Sequence, residues 1–567
     1  SRQVAPPVQK GEAAFVSSRI RNPRQTASPR TGETLMTSAD VPGPHWLNNE
    51  QATRMFNVYH FIHEQYGFHF RPNAKDYTFY EWLGSTNRLP KYLKWKTANI
   101  LCRAIGSVDL VPCPFLSGTI PKVFDYYFAE GLLGLLRTDN GFHRMKLARR
   151  QKNRYASFAF SLYQSKSASL PAEDWECEAA INDTIVRLST DKSPCGKLMS
   201  PRGLITVEDV EDELVRTVDE IFPHFTEHEP SYRLPSRGAA VDSNRADGGM
   251  MGALVRQGCN YQFLWEEFLV GYYHCPSGVS PLYSRIDPED VHFAMHVMRG
   301  RAWESCDSIP CIPVALTEPF KVRVITKGWA PNYIITRLLQ PRVWRSLKSH
   351  PTFRLIGESL SPSAMLQFSS QLSPCDGSWY ISGDYKEATD HIPSHFGELV
   401  LERICFRVGI PAEYIPLAIA SLTRHAFYRK VVGGREYVSQ QQSGQLMGSP
   451  LSFPVLCIIN AAYTRLAYES ATPGRIRMSL SDLPMLVNGD DLLLGGGLHH
   501  FLNWKRVVEW AGLKPSVGKT LVSRRFATIN SQLYRFDKQK HCSTEWLKPT
   551  HLPHVMLPLA LGNMKSG

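Results

Sequence analysis

No uninterrupted apolar stretch of this 567-residue chain reaches the roughly 18–20 residues of a membrane-spanning helix, so no bilayer span is expected. Paired cysteines are missing too. The 12 cysteines include no Cys-x2-Cys pair, which argues against a zinc ribbon or a disulfide framework and for reduced cytosolic thiols. No internal repeat is found. Acidic residues are outnumbered, 52 Asp and Glu against 64 Lys and Arg, and the resulting formal charge of +12 suits a phosphate-rich partner. At 43% hydrophobic residues the chain still has enough apolar surface for a large core. Ser1 stands where an initiator Met would, as in a fragment of a longer chain.

What is present is concentrated in residues 485–497, Met-Leu-Val-Asn-Gly-Asp-Asp-Leu-Leu-Leu-Gly-Gly-Gly. Leu486 and Val487 read as one strand, Leu492 to Leu494 as its return, and Asn488-Gly489 as the turn dipeptide of a tight β-hairpin. Asp490 and Asp491 sit at its tip. Two neighbouring carboxylates folded against a sheet repel each other unless cations are bound there, and a divalent metal is the simplest such cation. Surface turns use the same residues, so the hairpin alone decides nothing.

A second acidic element lies about a hundred residues upstream, where Trp379-Tyr-Ile-Ser-Gly-Asp384 reads as a buried strand ending on a carboxylate. Tyr385 to Asp390 follows as a turn into a helix. If this strand pairs with the hairpin, Asp384 and Asp490 face each other at a separation suited to two Mg²⁺ ions roughly 3.5–4 Å apart. The plainer readings are a helix N-cap for Asp384 and a solvated helix residue for Asp390.

Between the acidic elements, Gln440-Gln-Gln-Ser-Gly-Gln-Leu-Met-Gly-Ser-Pro450 leads into a mostly apolar helix reaching Tyr463. Gly444 and Gly448 allow unusual backbone angles and close approach of a ligand. Upstream, in Glu318-Pro-Phe-Lys-Val-Arg-Val-Ile-Thr-Lys-Gly328, strand period two sends Lys321, Arg323 and Lys327 to one face. Phe320, Val322 and Val324 take the other. Such a cationic strip neutralises a triphosphate and its leaving pyrophosphate; equally, it describes an edge strand with solvated cations.

The order of these elements resembles motifs F, A, B and C of viral RNA-dependent RNA polymerases. Trp510-Ala-Gly-Leu-Lys-Pro-Ser-Val-Gly-Lys-Thr520 resembles motif D, and Phe526 to Arg535 falls at motif E. The spacer in Asp384-Tyr-Lys-Glu-Ala-Thr-Asp390 looks like the levivirus, narnavirus and ourmiavirus branch. The runs Gly444-Gln-Leu-Met-Gly-Ser-Pro-Leu-Ser-Phe-Pro-Val-Leu-Cys457 and Lys321-Val-Arg-Val-Ile-Thr-Lys327 are most similar to ourmia-like viruses of plants and fungi, the botourmiaviruses. Pro235 to Gly249 resembles the segment of the same group through which template RNA enters.

The resemblance implies replication of a positive-strand viral RNA genome by two-metal nucleotidyl transfer. On that reading Asp384 and Asp490 bridge two Mg²⁺ ions, for which Mn²⁺ substitutes, Asp491 is an auxiliary ligand and the Tyr385 carbonyl completes a shell. Lys519 is the general acid to pyrophosphate, with a solvated loop lysine as the plain alternative. Lys321, Arg323 and Lys327 line the nucleotide channel. Asp390, Ser443, Gly444 and Asn460 form the nucleotide site, with Asp390, Ser443 and Asn460 reading the ribose 2′-hydroxyl. The chain departs from the common second motif, because Gly448 holds its threonine position and Ser452 its asparagine position. Implied partners are RNA template and product, NTPs and host factors. The implied location is the cytoplasm of the infected host cell, ahead of the mitochondrion.

The implied fold is α+β, a right hand of fingers, palm and thumb whose palm is a small antiparallel sheet backed by helices. Residues 1–43, rich in Pro, Ser, Thr and Arg, read as a flexible basic tail; Arg-rich N-termini also resemble organelle transit peptides. Residues 44–234 form an N-terminal helical extension bridging fingers and thumb. From Trp46 to about Tyr163 aromatic and basic residues interleave, as in Phe79–Leu83 and Lys91–Lys96, which suits either single-stranded RNA or simple helix packing. Leu132–Leu136 reads as core, Lys146–Arg154 as a basic helix face and 204–224 as an acidic amphipathic helix. Fingers span 235–370 with an insertion at 401–439, and palm spans 371–400 and 440–535. Residues 536–567 make a short or truncated thumb, unless N-terminal helices close the ring instead.

Three rivals are weighed. A reverse transcriptase shares the palm but typically carries an aromatic-x-Asp-Asp turn and a bulky gate where Asp390 stands. A catalytically inactive RNA-binding scaffold is the non-enzyme reading, against which Asp384, Asp490 and Lys321 argue. A bacteriophage-type replicase would recruit host translation factors.

Overall fold

A computed structural model describes residues 50–67, 74–86, 88–116, 118–125, 149–169, 174–224, 235–258, 288–372, 378–472, 474 and 477–555. The expectations for 1–43 and for Leu132–Leu136 lie outside them. The class is α+β, as expected: helices surround small, mainly antiparallel sheets. The strands are β1 (Leu198–Ser200), β2 (Gly203–Ile205), β3 (Ile309–Glu318), β4 (Lys321–Gly328), β5 (Trp379–Gly383), β6 (His425–Val431) and β7 (Gly434–Gln440), then β8 (Met485–Asn488), β9 (Asp491–Gly496), β10 (Leu521–Ser523), β11 (Phe526–Ile529), β12 (Gln532–His541) and β13 (Thr544–Leu552).

The central sheet runs β10-β5-β9-β8, antiparallel throughout. Strand alternation divides its apolar residues between two cores. Ile381, Val487, Leu492 and Leu494 face the main core, which includes Trp504 of the Leu498–Trp510 helix and the buried face of the Ser452–Ala471 helix. Tyr380, Leu486 and Leu493 face a smaller core with Ala527, Ile529 and Phe536, and the Tyr380 and Phe536 rings stack at 4.2 Å. Both faces are therefore covered, which is why β5 and β9 read as continuous apolar runs rather than alternating ones.

A second sheet, β4-β3-β6-β7, carries the basic strip as the β4 edge, and its β3–β6 pairing is parallel. The 401–439 segment thus returns to lie beside the strand that precedes the strip. A third sheet, β11-β12-β13, follows the central one in sequence. Its Phe526, Leu533 and Leu552 share a core with Tyr59, Phe79, Tyr92 and Phe158 of the N-terminal helices. Val108 N–H donates to the Val522 carbonyl at 3.1 Å and so extends the edge of β10. The first described helices and the last described strands share one core here.

Phe79, Tyr80 and Tyr92 are buried edge to face in that core, so these aromatics pack helices and are not stacking platforms for RNA. No helix among the described residues is long and apolar enough to cross a membrane.

The acidic stretch at 204–224 contains the Val207–Ile221 helix, closed at its start by a Thr206–Asp209 capping box. Its function is electrostatic. Arg465, fully buried in the Ser452–Ala471 helix, donates from Nε to Glu213 Oε1 at 2.5 Å, from Nη2 to Thr217 Oγ1 at 2.8 Å, and from Nη1 to Glu220. Removing one partner of such a buried pair strands the other's charge. Arg465→Met should destabilise the protein by about 3–5 kcal/mol, read from a urea unfolding midpoint. Adding Glu213→Leu should restore most of the loss, and no recovery in the double variant would show that packing rather than charge was lost.

Candidate active site

The register of the central sheet gathers the acids. Gly383 pairs with Leu492, so Asp384, one residue on, comes level with Asp491 at the start of β9. Asn488 pairs with Asp491, leaving Gly489 and Asp490 as the two turn residues. The turn thus sits one residue later than the expected Asn488-Gly489, because Asn488 is spent on the ladder. Gly489 has φ +69°, and a Cβ there would meet the Phe453 ring at 2.8 Å. From below, Asn460 Nδ2 donates to the Gly489 carbonyl at 3.0 Å while its Oδ1 accepts from the Tyr385 hydroxyl at 2.8 Å. Asn460 is fully buried, and it clasps the two acid-bearing elements together.

The electrostatics show the crowding. Burial holds the Asp384 carboxyl above its usual range, Lys519 opposes this, and Asp490 adds to it. Asp491 is pushed up to about 7, first by burial and then by Asp490 and Asp384. Lys519 Nζ lies 2.9 and 3.1 Å from the two Asp384 carboxylate oxygens. Its loop is held by Ser516 N–H, which donates to the Asp384 carbonyl at 2.7 Å.

Lys321 and Arg323 are exposed on β4 and Lys327 is half-buried, its Nζ 3.5 Å from Asn244 Oδ1 in the segment after Pro235. Arg323 pairs with Glu318 across the β3–β4 hairpin at 2.9 Å. Lys321 keeps solvent contact, yet loss of water from its surroundings, with Lys519 and Arg323 nearby, holds its ammonium below the usual range. Two further lysines come from the N-terminal helices. Lys94 Nζ donates to the Phe320 carbonyl at 2.7 Å, at the root of β4. Lys166 sits 4.0 Å over the Tyr163 ring and is lowered to about 8 by burial and by Lys519 and Lys94, with Asp384 opposing. Lys94 lies in a stretch already marked by its aromatic and basic residues. Tyr163 ends that stretch, and Lys166, just beyond it, carried no sequence signal.

Asp390 and Ser443 lie together, tied by backbone bonds. Gly444 N–H donates to the Ile392 carbonyl and Gln445 N–H to the Thr389 carbonyl, each at 2.7 Å. Gly444 has φ +78°, and a Cβ there would come within 2.9 Å of the Asp390 carbonyl. At Gly448 the close approach is by protein rather than ligand, since a Cβ would strike the Thr326 carbonyl of β4. Asn460 is engaged apart from this pair, under the acidic corner. Ser452, at the aligned asparagine position, is buried and donates to Gln445 Oε1 at 3.3 Å.

Among the described residues, no group of three or more His, Cys, Asp or Glu side chains could hold a metal ion unaided. Asp384, Asp490 and Asp491 offer only oxygen donors, the type that hard cations take.

No protein-family model matches the chain. Over 515 residues the chain is 32% identical to a protein named RNA-dependent RNA polymerase from Ourmia melon virus (isolate Melon/Iran/VE9). This chain is related to that ourmia-like viral polymerase. The alignment takes in 88% of the chain and 56% of the viral polymerase, so the chain spans little more than half its relative's length. The resemblance read from motif order is borne out at the level of the family.

Because the folded-state pKa of Asp491 is raised, ionising it costs stability. That cost is absent below about pH 4, grows as pH rises, and is complete above about pH 7. In EDTA-treated protein, Asp491→Asn should therefore raise stability by about 1–3 kcal/mol at pH 8 and hardly at all at pH 4. Equal effects at both pH values in denaturant titrations would refute the crowding.

Proposed function

We propose that the chain is an RNA-dependent RNA polymerase which copies a positive-strand viral RNA genome, adding NTPs to a growing product on an RNA template. The observation that carries this reading is the meeting of Asp384, Asp490 and Asp491 at adjoining strand ends, with the Lys519 ammonium on Asp384. The kinship with the viral polymerase supports it.

In this reading the β10-β5-β9-β8 sheet is the palm of a right hand. The β4-β3-β6-β7 sheet belongs to the fingers, and the N-terminal helices with the last sheet stand in for a thumb. Asp384, Asp490 and Asp491, with the Tyr385 carbonyl, would hold two Mg²⁺ ions, for which Mn²⁺ can substitute. When bound, these cations ease deprotonation of the 3′-hydroxyl and neutralise the triphosphate. Lys321, Arg323 and Lys327 would hold the triphosphate oxygens, and Lys94 and Lys166 add positive potential on the same side. Lys519 would carry the proton that the leaving pyrophosphate takes up. Asp390 and Ser443 would read the 2′-hydroxyl, with Asn460 supporting the corner from beneath. Host factors are proposed as further partners, and the host cytoplasm as the site of action.

Asp384→Ala and Asp490→Ala should each lower incorporation of labelled NTP by at least about 100-fold. RNA binding, which rests on counterion release by basic residues, should persist in a filter assay. Turnover retained in either folded variant would sink the assignment.

Arg323→Ala should raise the KM for NTP about tenfold or more, the loss of a charge-assisted contact of roughly 1.5–3 kcal/mol. If RNA affinity falls instead while KM is unchanged, the strip belongs to the RNA path.

A further inference from the structure

Arg187 closes the Asp174–Leu188 helix, well before the first stretch on which the family resemblance rests. Its guanidinium reaches across to the single helical turn Ala388–His391 and donates to Asp390 Oδ2 twice, from Nε at 3.2 Å and from Nη2 at 3.0 Å. It also pairs with Glu387 Oε2 at 3.2 Å, and Nη2 is steadied by Thr184 Oγ1 at 2.9 Å. The next few residues continue the contact. Lys192 Nζ donates to the Asp390 carbonyl at 2.8 Å, and Ser443 Oγ donates to the Thr190 carbonyl at 2.8 Å. Gln442 and Ser443 N–H groups both donate to the Leu188 carbonyl. One short segment, 187–192, therefore grips both residues assigned to the ribose.

The grip is asymmetric. Both guanidinium bonds fall on Oδ2, whereas Oδ1 receives one longer bond, from the Thr389 hydroxyl at 3.3 Å. The Asp390 side chain is 14% exposed, so burial disfavours its anion, and Arg187 is the charge that opposes this. Two guanidinium N–H groups converging on one oxygen fix its position as well as opposing its burial, which a single ammonium does only in part.

We propose that Arg187 is a positioning residue for ribose recognition: by fixing Asp390 Oδ2 it turns Oδ1 toward the 2′-hydroxyl of an incoming ribonucleotide. The inference rests on the reading of Asp390 given under the proposed function, and assigns the selectivity of that site in part to the N-terminal region. A deoxynucleotide would leave an oriented, partly desolvated acceptor unpaired.

The test separates this inference from the polymerase reading by using binding as well as turnover. ATP and 2′-deoxyATP are titrated with Mg²⁺ against the full chain in competition with a fluorescent nucleotide, without primer. The wild type should prefer ATP. Arg187→Gln should lower that preference about tenfold, and Arg187→Lys, which keeps charge but not the paired N–H groups, roughly threefold. In an Asp390→Ala background, Arg187→Gln should change the ratio no further, because Arg187 acts through Asp390. The inference is overturned by a wild type with no ribose preference or by an unchanged ratio in both Arg187 variants. Equal tightening of both nucleotides also overturns it, since Arg187 would then be a lid over the pocket. A chain that prefers ATP in binding but incorporates no NTP keeps this inference and loses the polymerase reading; incorporation without ribose preference does the reverse.

Discussion

Three carboxylates held at the ends of adjoining strands are the constraint around which this molecule is arranged. Asp384, Asp490 and Asp491 are brought together by backbone register, not by mutual attraction, and a slip of one residue in β5 or β9 would turn them away and expose the apolar residues beside them. The cost appears in the raised carboxyls of Asp384 and Asp491. Lys519 offsets part of it at Asp384. The remainder is a standing demand for positive charge, and a divalent cation or the ammonium groups nearby can meet it.

Those ammonium groups come from distant parts of the chain. Lys321 stands on the strip, Lys519 follows the last helix, and Lys94 and Lys166 arrive from the N-terminal helices packed on the final sheet. Gathering like charges is unfavourable, and burial depresses Lys166 further. Asp384 opposes this at Lys166 and Lys321, Glu318 at Lys321 and Glu176 at Lys94, so the lysines and the acids of the corner offset one another in part.

Support for the corner is internal and polar. Asn460 joins Tyr385 to the Gly489 carbonyl, and Arg465, on the same helix, is bound by Glu213 and Thr217 of the Val207–Ile221 helix. An acidic helix without catalytic residues thereby fixes the element that lies beneath the turn. The glycines of the intervening loop act similarly. Gly444 and Gly448 let the loop pack against Asp390 and Thr326 at distances no side chain would permit.

Much of this was legible in local pattern. Strand alternation and a two-residue turn are set by neighbouring residues, so the hairpin near 485–496, the strand leading to Asp384 and the basic β4 were readable from the chain alone, with the turn displaced by one residue and the strand closing at Gly383. The ordered motifs carried the family. Contacts between residues far apart in sequence were not readable. Arg187 on Asp390 spans 203 residues and Lys519 on Asp384 spans 135, and neither an arginine at a helix end nor a lysine in a turn carries a mark of its eventual partner. The aromatic stretches at 79–96 show the same limit, since an alternation of rings and charges is identical for an RNA platform and for a packed core. Burial in the core that the N-terminal helices share with the last sheet settled it for Phe79, Tyr80 and Tyr92. Local sequence prescribes backbone periodicity and chemistry; which distant charges meet depends on how the sheets and helices close over one another.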